Sequence, residues 1–144
     1  MTINLTPKQI ENIADLLDSG MCCYYNLKTK EISEIPNFDN WMSGEELWQE
    51  DIDKIEENWE DYFKIEPMGH NSSFQVMVDF IDSIDNETLK EKLIKGLNKP
   101  KPFRNFKWEI DNSGEFRQKW FDFKKSNYIS WVNLKVEEEN EFLS

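Results

Sequence analysis

Apolar residues recur at helical spacing through most of this chain, and three short stretches read as strands. Thr6-Pro7 offers a capping hydroxyl and then a proline suited to a first helical turn. Ile10, Ile13, Ala14 and Leu17 follow on one face, and Gly20 stops the run. Residues 21–27 and 31–35 flank the polar Lys28-Thr29-Lys30, which predicts a β-hairpin closed by Pro36. Ser43 with Glu46 has the form of a capping box. It opens a predicted helix to about Glu57 that would bury Leu47, Trp48, Ile52 and Ile55. Residues 62–65 read as a short strand stopped by Pro67, with Gly69 in the turn beyond.

The second half reads as helices. Asn71 or Ser72 is placed to cap one whose stripe is Phe74, Met77, Val78, Ile81 and Ile84. Asn86 caps the next, with Leu89, Leu93 and Leu97 facing in. Pro100 and Pro102 break that helix and begin another carrying Phe103 and Phe106, both expected in the core, and Ile110. After the turn at Asn112-Ser113-Gly114, a last helical region holds Phe116, Trp120 and Phe123, then Tyr128, Ile129, Val132 and Val136. Glu137 to Glu141 is an acidic end expected to fray.

There is no internal repeat, low-complexity tract or linker. The expected fold class is α+β: a helix-dominated single domain with a small antiparallel sheet built on an N-terminal β-hairpin. The expected domain is 1–144. Within it lie an N-terminal helix (1–19), the hairpin, acidic helix and short strand (20–66), a helical part (70–136) and an acidic tail (137–144).

Composition supports a folded chain. At 144 residues it can bury roughly 68–70% of its unfolded surface. Six tryptophans and an aromatic fraction of 14% supply a core that disordered chains lack. No apolar run approaches the roughly 20 residues of a membrane span, and no basic segment followed by an apolar stretch opens the chain as in a signal peptide. The adjacent Cys22 and Cys23 would strain a mutual disulfide, which fits reduced thiols in a cytoplasmic protein.

The formal net charge of −12 disfavours nucleic acid and anionic membrane as partners. That charge is unevenly spread. From Asp39 to Asp61 ten acids face Lys54 alone, whereas from Lys90 to Lys107 seven cations face Glu91 alone. Both segments are accounted for as solvated helix faces that attract each other within the fold. Alternatively the second is a basic ridge that docks an anionic partner.

Motifs for catalysis are sparse. His70 is the one histidine, with neither cysteine near it in sequence, so no nucleophile–base relay is spelled out. Zinc spacing is missing, and the five glycines are scattered singly, which excludes phosphate-binding and dinucleotide loops. No cofactor is implied. Asp79 and Asp82 sit three apart on one helix face with Asp85 a turn further. Such a row could hold a hard metal or serve as an acid/base pair, or be simply a solvated face. Asp51-x-Asp53 lacks the glycine and final glutamate of a calcium loop.

The arginines say more. Arg104 and Arg117 are the only two, and each follows a phenylalanine, in a chain that otherwise uses lysine. Arginine at such sites suits planar bidentate contacts. One reading is an internal bridge to Asp79, Asp82 or Asp122; the other is an exposed anion clamp, with Lys107 and Trp108 beside Arg104.

A strand ending in Ile65-Glu66-Pro67 leads to Met77-Val78-Asp79-Phe80-Ile81, then Leu89, Leu93 and Leu97. The Phe103-Arg104-Asn105-Phe106-Lys107 block and Trp120-Phe121-Asp122-Phe123 follow. With the hairpin upstream, residues 20–135 resemble the uncharacterised bacterial protein family numbered 158 in the UPF series. Where that family has a glycine-rich approach to the Phe-Arg block, this chain has Lys99-Pro100-Lys101-Pro102. The resemblance implies the fold and carries no activity. The leading expectation is therefore a non-enzymatic interaction or regulatory module. It would meet a protein or small anionic partner through Lys101, Arg104 and Lys107, with Arg117 as the second arginine. The alternative is a metal-dependent enzyme of nucleotide or nucleic-acid metabolism using Asp79 and Asp82.

Overall fold

The computed structural model describes residues 2–37 and 45–144. Among the described residues, six α-helices and a three-stranded antiparallel sheet give the expected α+β class. Contacts along the chain divide it into two compact units, Met1–Pro67 with Tyr128–Ser144, and Met68–Asn127. Among the described residues no helix is long and apolar enough to cross a membrane.

The first unit begins with α1 (Pro7–Asp18), capped as its sequence suggests. Thr6 accepts from the Gln9 amide, and the Gln9 side chain accepts from the Thr6 amide in return. Ile13, Ala14 and Leu17 are its buried face, packed on β1 (Met21–Asn26). β1 is the central strand, paired antiparallel with β2 (Ile32–Pro36) on one side and β3 (Tyr62–Ile65) on the other. Cys23 lies opposite both Glu34 and Ile65. Pro36 is the last residue of an edge strand, the place where a missing N–H costs least.

The hairpin turn is built by Asn26, whose side-chain oxygen accepts from the amides of Lys28 and Thr29 at 2.8 and 3.0 Å. Lys30 completes the reversal in the left-handed region, at φ 65°.

A 3₁₀ turn, Glu45–Trp48, precedes α2 (Gln49–Glu57). Ile55 is buried as expected, but Leu47 is 85% exposed, because it sits in the 3₁₀ turn and not in the α-helical register that would turn it inward. The capping box at Ser43 and Glu46 falls outside the described side chains.

The second unit holds α3 (His70–Ser83), α4 (Glu87–Leu97), α5 (Pro102–Asp111) and the start of α6 (Phe116–Leu143). Gly69, rather than Asn71 or Ser72, occupies the position before α3 and offers no side-chain cap. The buried face of α3 is Val76, Met77, Phe80 and Ile81, with Ile84 beyond; Val78 is only half-buried. Phe80, absent from the expected stripe, is one of the largest fully buried side chains. Its ring meets Phe106, Trp120 and Phe123 with centroids 5.3–6.4 Å apart, in edge or tilted geometry. Asn86 caps α4 by accepting from the Leu89 amide, and Leu93 is sealed in the core.

α4 and α5 form a tight helical hairpin. A Cβ on Gly96 would stand 3.2 Å from the Asn105 Cβ, so glycine permits the approach of the two helices. The Asn105 amide nitrogen donates to the carbonyls of both Gly96 and Pro100 at 3.0 Å, clasping the turn. Pro102 starts α5, and Lys101 before it adopts φ 61°, ψ 56° without any side-chain cap.

α6 is one helix through Leu143, so the acidic stretch is helical where fraying was expected. Asn140 anchors it in the first unit: its Oδ1 accepts from the Ile3 amide at 2.7 Å and its Nδ2 donates to the Ile3 carbonyl at 3.1 Å. There too, the Trp131 indole donates to the Glu66 carbonyl at 2.9 Å, while Tyr128 and Val132 are buried.

Candidate functional site

α5 exposes a stripe opposite its buried Phe106 and Ile110. At roughly 100° per residue, Arg104, Lys107 and Trp108 fall together on that stripe, and Lys101 stands at its head. All four are exposed, Trp108 to 63%. Lys92, Lys95 and Lys99 on and after α4 are exposed as well, with Ile94 half-exposed among them. The hairpin thus presents a dense set of cations interrupted by single apolar side chains.

The two arginines, alike in local sequence, have different surroundings. Arg117 is 3.3 Å from Asp111 and its guanidinium lies 4.7 Å from the Phe121 ring centroid. That bridge ties the end of α5 to the start of α6, and it replaces the expected partners Asp79, Asp82 or Asp122. Asp79 instead accepts from Gln75 at 2.8 Å and Asp122 from Gln118 at 3.0 Å. Exposed on both sides, the Arg117–Asp111 pair is worth about 0–1 kcal/mol. Arg104, by contrast, has no ion pair or side-chain hydrogen bond among the described residues.

Phe103 departs from expectation. It is 38% exposed and stands edge-on to His70 at 5.5 Å and Phe74 at 6.4 Å, so it lies at the rim of the core while Phe106, three residues on, lies within it. A family model described as "Uncharacterised protein family (UPF0158)" matches residues 41–142, well over half of the chain and the whole of this hairpin. The chain belongs to that family. The match starts beyond the β1–β2 hairpin and runs into the acidic end, whereas the resemblance read from sequence spanned 20–135. No curated protein and no solved structure matches the chain.

Asp79 and Asp82 are exposed on α3. Among the described residues no three or more His, Cys, Asp or Glu side chains are grouped so as to hold a metal. Cys22 and Cys23 are buried thiols. Burial pushes the Cys23 thiol up to about 12, with the Glu34 carboxylate and Cys22 adding to the effect. A thiol held protonated in this way is a packing group, since the thiolate is the nucleophile. His70 spends one ring face on Phe103.

Periodicity could have shown the exposure of Trp108, which shares the i, i+4 row with Arg104. No local signal marked Asp111 as the partner of Arg117, because the two are joined across a turn and not along one helix.

Proposed function

We propose that this UPF0158 member is a non-enzymatic interaction module whose α5 ridge, Lys101, Arg104 and Lys107 beside Trp108, receives an anionic partner, either an acidic protein segment or a small anion. The observation that carries this reading is Arg104 itself, an exposed guanidinium with no internal carboxylate among the described residues. Arg117 already has such a partner in Asp111. Arginine offers planar, paired donors that a lysine at the same position would not. Trp108 supplies an apolar surface and an indole donor at the edge of the charge, the mixture that anchors interfaces.

The test uses a labelled glutamate-rich peptide and, separately, inorganic phosphate, followed by fluorescence anisotropy and calorimetry at low and physiological salt. Binding should weaken as salt screens the ridge. Arg104→Ala should weaken it about tenfold or more, from loss of a charge-assisted contact. Arg104→Lys should fail to restore it, Arg117→Ala should matter less, and thermal midpoints should not move. Failure of both probes to bind at low salt, or wild-type binding by Arg104→Ala, would overturn the proposal.

A further inference from the structure

The aromatic core of the second unit opens toward solvent beside the end of α3. A cleft of about 210 Å³ lies between the end of α3 and the start of α6, walled by Phe80, Ile84, Phe116 and Phe123. Two charged side chains line the same cleft, Asp85 and Lys119. Both are exposed, and among the described residues neither has an ion-pair partner, including the other. The Lys119 ammonium instead stands 4.8 Å from the Phe116 ring centroid, over the wall of the cleft. Ser83 completes the lining; its hydroxyl donates to the Phe80 carbonyl at 2.6 Å, which leaves its oxygen lone pairs able to accept.

Size and chemistry restrict the occupant. An apolar cavity of about 150 Å³ takes up benzene, so this cleft has room for one aromatic ring with a short polar head. Phenyl walls favour another ring in edge or offset contact. Asp85 attracts a cation and repels a lone anion; Lys119 does the reverse. A ligand with only one charge therefore gains from one side chain and loses to the other. A ligand carrying both gains twice.

We propose that this cleft binds a small aromatic zwitterion, an α-amino acid with a single ring, its ring against the half-buried Phe116 and Phe123, its ammonium at Asp85 and its carboxylate at Lys119. The inference is independent of the α5 ridge, and either can fail without the other.

Calorimetric and NMR titrations of the full chain with phenylalanine, phenethylamine and 3-phenylpropanoate separate the contributions. Phenylalanine should bind about tenfold more tightly than either singly charged analogue. Asp85→Asn should remove most of that advantage while 3-phenylpropanoate binds as before or better. Lys119→Gln should do the same with phenethylamine unchanged or improved. Both positions are exposed, so denaturation midpoints should match the wild type and keep the comparison clean. Equal binding of the three ligands, or no saturable binding below about 20 mM, would overturn the assignment. So would N-acetylphenylalanine amide binding as well as phenylalanine, which would make the cleft a seat for a partner's aromatic side chain.

Discussion

Lys101 sits between two prolines with φ 61° and ψ 56°, and its replacement by glycine should stabilise the protein. For a residue with a Cβ, this left-handed conformation costs roughly 1–2 kcal/mol against the right-handed one. The residue before a proline is also biased toward extended backbone, which Pro102 imposes here. Glycine removes the Cβ clash but enlarges the unfolded ensemble, giving back about 0.4–1 kcal/mol. The midpoints of the two ranges leave a net gain of about 0.8 kcal/mol, or about 2–4 °C in Tm for a chain of this size. Lys101→Ala is the decisive control: it removes the same charge from a crowded basic hairpin but keeps the Cβ, so its stability should stay within about 0.5 kcal/mol of wild type. Urea midpoints and thermal scans on all three proteins provide the measurement. An alanine variant as stable as the glycine one would assign the gain to relief of repulsion among Lys95, Lys99 and Arg104, and would refute the backbone argument. Equal stability of glycine and wild type would refute it too.

Gly96→Ala should lose stability by about 1 kcal/mol in urea melts, although alanine is the better helix former, because its methyl would meet an Asn105 already held by two hydrogen bonds. Phe106→Ala should cost about 3–5 kcal/mol by the same assay, since its buried ring packs 4.7 Å from Trp120 and 6.4 Å from Phe80. Alkaline pH should destabilise the fold. The Cys23 thiol is raised from 9.0 to about 12, so its contribution is complete below pH 9 and lost as pH climbs toward 12. Burial raises Tyr24 in the same sense. Urea midpoints of Cys23→Ala between pH 8 and 11 should therefore fall less steeply than those of the wild type.

Much of the architecture was legible because capping and turn chemistry is local. Thr6-Pro7, Asn86 and Pro102 start helices where their side chains or ring geometry say they should, and the hairpin forms around Lys28-Thr29-Lys30. What local chemistry does not encode was missed. On α3 two overlapping apolar stripes compete, and the buried one, centred on Phe80, lies roughly 60° around the helix from the one chosen. In α6 the apolar positions 116, 120 and 123 and the later 128, 132 and 136 lie on different sides, roughly 150° apart, which hides a continuous 28-residue helix from any single-stripe reading. The exposure of Lys101, Arg104 and Lys107 on one stripe was legible, because a proline-started helix fixes their phase. The cleft was not, since it joins residues 80–85 to residues 116–123, and nothing local announces that meeting.

The clasp between Asn140 and Ile3 bears on the order of events in folding. It joins groups 137 residues apart, and the chain must close that loop before either hydrogen bond can form. Loop closure grows costlier with length while two hydrogen bonds return only about 1–3 kcal/mol, so the contact follows the hairpins rather than nucleating them. Its contribution therefore appears in how long the native state lasts. Loss of the Asn140 amide should steepen escape from the folded basin and leave the rate of reaching it almost untouched.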